Sequence, residues 1–115
     1  MSSGRDFRDY LNDIRDSIEK IERFIEGMTL KDFEDDDKTF YAVIRAFEVM
    51  GEATKKIPKS FRNKYPKVPW SEMAGIRDKL VHDYFGVNLE VVWNTANRDI
   101  PELKPLISEI LEKEL

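Results

Sequence analysis

The chain of 115 residues contains no cysteine, one histidine, five glycines and five prolines. Without cysteine there is no disulfide framework, no thiolate nucleophile and no cysteine zinc site, and His82 alone leaves little for a histidine-rich metal centre. No apolar run approaches the roughly 20 residues that cross a bilayer, and the start Met-Ser-Ser-Gly-Arg-Asp lacks the basic-then-apolar layout of a secretory signal. The expectation is a cytoplasmic protein. Positive charge is not in excess either: 19 Lys and Arg stand against 23 Asp and Glu, a formal net charge of −4. That balance argues against a protein that coats nucleic acid while leaving room for a local basic groove. What is present, 41% hydrophobic residues over this length, suffices for one modest core, so residues 1–115 read as one domain.

Helical periodicity dominates. Phe7, Leu11, Ile14, Ile18, Ile21 and Ile25 recur at spacings of three and four with charged residues between them, an amphipathic helix expected to end near Gly27. After an acidic connector, 32–37, a second such pattern runs through Phe40, Val43, Ile44, Phe47, Met50, Thr54 and Ile57 and is stopped by Pro58. A third helix is expected from Pro69 or Trp70 through Met73, Ile76, Arg77, Leu80 and Val81, ending between His82 and Gly86. Asn88 is placed to cap a fourth carrying Leu89, Val92, Trp93 and Ala96. Asp99 with Pro101 marks the start of a fifth, through Leu103, Leu106, Ile107, Ile110 and Leu111. No alternating strand pattern of useful length appears. The fold class is therefore all-α, an up-and-down bundle of four to five helices.

Between the second and third helices, Lys55, Lys56, Lys59, Arg62, Lys64 and Lys67 occur with no acidic residue among them, interleaved with Phe61, Tyr65 and Trp70. Pro58, Pro66 and Pro69 exclude a long helix there and leave a connector with one short helical turn. Lys59, Arg62 and Lys64 are candidate contacts for phosphates, with the aromatics available for base stacking. The weightier reading has the aromatics packing the connector onto the bundle and the lysines keeping its outer side soluble.

His82 is the one side chain that ordinarily titrates near neutrality, and it sits in Arg77-Asp78-Lys79-Leu80-Val81-His82-Asp83-Tyr84. On a continuous helix Arg77 and His82 would lie roughly 140° apart, whereas Asp78 would share the face of His82 and hold its imidazole. Convergence of Arg77 with His82 then requires either a helix break or a second subunit, and the latter means a symmetric dimer.

At this point the sequence resembles a known family. The segments Tyr41-Ala42-Val43-Ile44-Arg45-Ala46, Gly51-Glu52-Ala53, Tyr65-Pro66, Pro69-Trp70 and the run from Ala74 to Phe85 are similar to the HepT-like branch of the HEPN superfamily. Within that run stands the motif Arg77-x-x-x-x-His82-x-Tyr84. The resemblance implies a helical, usually homodimeric ribonuclease toxin that needs no metal or other cofactor. Arg77 and His82 would be catalytic and Asp78 supporting, and a nucleotidyltransferase antitoxin would silence the protein by adenylylating Tyr84.

The residue types suit that chemistry. Imidazole moves protons near neutral pH, a guanidinium holds phosphate oxygens, and only RNA carries the 2′-hydroxyl nucleophile. The alternative from a different class is a non-catalytic helical module in which the same motif binds a nucleotide or a protein partner. Elsewhere, 34–37 reads as a solvated acidic turn favouring the next helix, not a calcium loop. Arg45, Glu48 and Glu52 read as surface or dimer-interface charges, with polar pairing toward the site as the other option and Glu52 paired to Lys56.

Overall fold

Each long helix begins on a polar side chain that satisfies its free N–H groups. In the computed structural model, which describes residues 5–83 and 86–114 and only the backbone of 81–83 and 86–87, Asp6 forms a capping box with Asp9 at the start of α1 (Phe7–Ile25). Gly27, at φ +74°, takes the left-handed conformation that lets the chain turn away from α1. Thr29 and Asp32 form a second capping box on α2 (Leu30–Glu34), and Asp36 caps α3 (Asp37–Lys55) by accepting the Thr39 N–H at 3.0 Å.

The run 34–37 is the largely exposed turn expected, with Asp36 starting the next helix, while Phe33 just before it is fully buried. Its ring lies 5.1 Å from Trp93 and 5.7 Å from Phe40, which fastens α2 across one end of the bundle.

The connector holds the expected short turn, α4 (Lys59–Arg62). The third helix is in two pieces, α5 (Trp70–Ala74) and α6 (Ile76–Leu80), with Gly75 between them. It also stops sooner than its apolar pattern suggests. From Val81 the backbone is extended and pairs antiparallel, β1 (Val81–Asp83) with β2 (Gly86–Val87), a pairing too short to register as alternation.

Asn88 caps α7 (Leu89–Asn94) through Val91 N–H at 3.2 Å, as its position implies. The separate fifth helix is a correction: Asp99 caps nothing, because α7 continues through a π-helical turn (Thr95–Asp99) into α8 (Ile100–Glu114). Ile100 N–H bonds back to the Thr95 carbonyl, five residues before it. Pro101 has no N–H, and in a regular helix its ring would crowd the carbonyl four residues back; the wider turn relieves that conflict without ending the rod.

Pairs between helices fix their directions. Phe7 at the start of α1 stacks on Phe61 just beyond the end of α3, with centroids 4.6 Å apart, so α1 and α3 are antiparallel. Lys104 reaches Glu22 at 2.8 Å, while Tyr65, in the same connector as Phe61, reaches Glu114 at 2.6 Å. The α7–α8 rod therefore runs opposite to α1. The broken α5–α6 packs against α3, giving the up-and-down order that short connections favour. Leu11, Ile14, Ile18 and Ile21 of α1 meet Val43, Phe47 and Met50 of α3 and Ile100, Ile107 and Ile110 of the rod, all nearly inaccessible to solvent. Each such side chain stabilises the fold by about 1.5–3 kcal/mol relative to an exposed one. Among the described residues no helix is long and apolar enough to cross a membrane.

Candidate functional site

Arg77 is placed by a close approach of backbones. A Cβ on Gly51 of α3 would lie 3.0 Å from Ile76 Cγ2 and 3.3 Å from the Met73 carbonyl oxygen, so only glycine lets α5 and α6 seat this deeply. Ile76 points into the core and the next residue, Arg77, points out with 68% of its side chain exposed. Glu48 lies one helical turn before Gly51 on the same face of α3 and comes beside that guanidinium, with Oε2 3.9 Å from Arg77 Nε. Its other oxygen, Oε1, lies 3.9 Å from Arg45 Nη1, so a single carboxylate stands between two arginines. Arg45, with 74% of its side chain exposed, also faces solvent.

Three residues after Arg77 the helix gives way to β1, which carries the backbone of His82. The helix therefore breaks before His82, which one of the two routes to convergence requires. The helical geometry relating Asp78 to His82 is lost with it, and Asp78 is an exposed residue of α6 beside Arg77. The His82 side chain and the whole of Tyr84 lie outside the described residues.

The basic connector is built largely for structure. Arg62 donates from Nε to the Ile57 carbonyl at 3.0 Å and from a terminal nitrogen to the Thr54 carbonyl at 2.7 Å, satisfying oxygens at and beyond the end of α3. The Trp70 indole N–H is shared between the carbonyls of Arg62 and Tyr65, at 3.1 and 3.0 Å. Phe61 and Trp70 are buried, so neither offers a face to a base, which corrects the stacking expectation for those two rings. Lys64 pairs with Glu114 at 3.3 Å and lies 5.5 Å from the Phe61 ring centroid, while Lys59 is exposed at the start of α4. Glu52 pairs with Lys55 at 3.4 Å and not with Lys56 as expected.

Hydrogen bonding from Tyr65 and Lys64 holds the Glu114 carboxyl below its usual range. The same contact with Glu114 raises the Tyr65 phenol above its own. This pair clasps the connector to the end of α8. An apolar groove of about 610 Å³ opens between α3, α5–α6 and the rod, lined by Phe47, Met50, Met73 and Leu103 among others. The Lys79–Asp99 ion pair at 2.9 Å lies along it, and neither Arg77 nor Glu48 lines it. Glu48 was underweighted in the sequence because its tie to Arg77 spans 29 positions and depends on the Gly51 crossing. The spacing of Arg45 and Glu48 at i, i+3 was the available signal.

A helical bundle that presents an exposed arginine three residues before a helix break, with a histidine in the following segment, defines the class of small helical proteins outlined above. Residues 14–110 match the family described as Ribonuclease HepT-like, and the chain belongs to that family. It is 52% identical over 100 residues to a Thermococcus cleftensis protein named "Probable ribonuclease HepT", covering 87% of this chain and 91% of that one. A Caldanaerobacter subterraneus protein named "Putative RNase" is 46% identical over 107 residues, 93% of this chain and 96% of the relative. A Methanocaldococcus jannaschii protein with the same style of name is 45% identical over 108 residues, 94% and 89% of the respective chains. No solved structure matches the chain.

Proposed function

We propose that this protein is a metal-independent endoribonuclease, the toxin of a toxin–antitoxin pair, acting as a two-fold dimer with Arg77 and His82 in the reaction. The observation that carries this reading is Arg77 itself: a guanidinium that the fold presents to solvent on the short helix ending three residues later, in a chain of the ribonuclease HepT-like family. A cation there suits the charge that develops on the phosphorus-bound oxygens. In the reaction a base takes the proton of an RNA 2′-hydroxyl and the 2′-oxygen bonds to phosphorus. The bond to the 5′-oxygen breaks, and an acid returns a proton to that oxygen, leaving a 2′,3′-cyclic phosphate and a 5′-hydroxyl. Two copies of His82, one from each subunit, supply the acid and the base, since imidazole near its ordinary pKa of about 6.5 can do either.

Asp78, the next residue of α6, is the supporting residue of the site. Lys59, Arg62 and Lys64 add positive potential on the approach, although Arg62 has its donors engaged within the fold. A nucleotidyltransferase partner would transfer AMP to the Tyr84 hydroxyl, setting an anionic group into the phosphate site and closing it by charge and volume.

The test is cleavage of mixed RNA in excess chelator by protein whose Tyr84 is shown by mass spectrometry to be unmodified, beside His82→Ala, Arg77→Ala and a DNA control. RNA-only cleavage that survives the chelator and disappears in both variants is the expected result. Activity abolished by the chelator, or equal activity in the variants, overturns it. Absence of turnover across RNA classes favours the nucleotide- or partner-binding module.

A further inference from the structure

We infer that the outer stripe of α3, Tyr41-Arg45-Glu48, is a single-stranded RNA track leading to Arg77, with Glu48 the positioning residue that sets two arginines side by side. This rests on the ribonuclease reading and adds to it residues outside the Arg-His-Tyr motif.

Three observations meet on this face. Tyr41 is 67% exposed and is the large hydrophobic residue that the described fold leaves most open. Arg45 follows one turn later, about 6 Å along the axis, and Glu48 almost one turn after that, so the three share a stripe. Glu48 then carries the stripe across to Arg77 on α6, with one oxygen near each arginine. Both contacts, at 3.9 Å, are ion pairs longer than a hydrogen bond, and exposed pairs of this kind add little to stability. Their consequence is orientation. A carboxylate at the Nε side of Arg77 leaves the outer pair of guanidinium nitrogens for a phosphate, and the same carboxylate keeps Arg45 near enough to take a neighbouring phosphate. Tyr41 provides a flat ring at nucleotide spacing beyond Arg45, the combination of stacking platform and cation by which single strands are held.

A second protein chain is the competing occupant, and the chemistry disfavours it. One exposed aromatic supplies at most about 250 Å² of apolar area. A stable interface needs about 800 Å² per partner with few charges at its centre.

The experiment titrates a short 2′-O-methyl RNA, which lacks the nucleophile, against wild type, Tyr41→Ala, Arg45→Gln and Glu48→Gln over a range of salt, then follows cleavage of unmodified RNA by the same proteins. Arg45→Gln should raise Kd and reduce the salt slope by about 0.7, one phosphate's worth for a single strand. Tyr41→Ala should raise Kd on the order of tenfold with the slope unchanged. Glu48→Gln removes an anion beside two cations, so RNA should bind as tightly or more tightly while kcat falls on the order of tenfold or more. Glu48→Asp should restore part of that kcat. A role in stability alone would move melting temperature and leave this split absent.

An unchanged salt slope in Arg45→Gln, or an unchanged kcat in Glu48→Gln, overturns the inference while wild-type cleavage leaves the ribonuclease reading standing. A shift in sedimentation mass in Tyr41→Ala, with Kd following it, assigns the stripe to a protein interface and overturns the inference too. Wild type that neither cuts nor binds RNA brings down the ribonuclease reading and the track with it.

Discussion

Gly51 of α3 and Ile76 of α6 meet so closely that a methyl group on the glycine would stand 3.0 Å from Ile76 Cγ2. Ile76 is buried and Cγ2 is the methyl on its branched Cβ, and the Met73 carbonyl oxygen is 3.3 Å away, so neither neighbour yields by rotating a flexible tip. Gly51→Ala should therefore lose more from displacing α5–α6, about 1–3 kcal/mol of overpacking, than the roughly 1 kcal/mol of helix propensity it gains. The expected outcome is a lower melting temperature together with a drop in RNA cleavage, because Arg77 is carried on the displaced helix. Gly51→Val should be worse on both counts. Equal stability in Gly51→Ala would mean that the crossing is softer than this geometry.

Arg77→Lys keeps the charge and discards the planar fork. The side chain is largely solvent-exposed and its ion pair to Glu48 is long, so stability should change by less than about 0.5 kcal/mol. Activity should fall about 100-fold or more, since an ammonium cannot hold two phosphate oxygens in one plane. Turnover measured beside a thermal melt separates the two effects, and a fully active lysine variant would reduce the role of Arg77 to simple attraction.

The Tyr65–Glu114 clasp gives stability a pH dependence at both extremes. Glu114 titrates below its ordinary 4.5 when folded, so its contribution is complete above that pH and is lost as acid protonates the folded carboxylate. Tyr65 titrates above its ordinary 10.0 when folded, so its contribution is complete below that pH and is lost as base removes the phenolic proton. Tyr65→Phe should flatten melting temperature against pH in both ranges and leave the neutral range with a small uniform loss. Both groups are exposed enough for solvent to screen the effect, so a drop confined to either end in wild type and absent from the variant is the signature sought.

The long helices were legible because burial imposes period on the sequence: Leu11, Ile14, Ile18 and Ile21 could only be one face. Caps were legible where a side chain acts locally, as Asn88 does on Val91. What escaped depends on tertiary partners or on backbone strain relief. The sequence reading passed over Phe33 and α2, because the burial of Phe33 depends on Trp93 and Phe40, which are brought to it only by the fold. Pro101 looked like a helix start and is instead absorbed within a rod by a π-turn. Arg77 was singled out from its position before His82, but the Glu48 carboxylate beside it follows from the Gly51 crossing, which no local pattern reveals.

The connector's cations divide by what they touch, and this gives a final expectation. Arg62 satisfies the carbonyls of Thr54 and Ile57 from one guanidinium, a geometry that an ammonium cannot reproduce, whereas Lys59 projects from the surface of α4. Arg62→Lys retains the charge and should lower stability by about 1–2 kcal/mol, the scale of hydrogen bonds lost from a charged donor, with RNA affinity nearly unchanged. Lys59→Glu should do the reverse, with melting temperature altered by less than about 0.5 kcal/mol equivalent and RNA affinity reduced, the loss shrinking as salt rises. Thermal melts and salt-dependent RNA titration on the same two proteins decide the matter. If Arg62→Lys weakens RNA binding as much as Lys59→Glu while melting normally, Arg62 is a direct RNA contact and its carbonyl bonds are incidental. If Lys59→Glu leaves binding untouched, the connector serves the fold alone and phosphate recognition is confined to the Arg77 face.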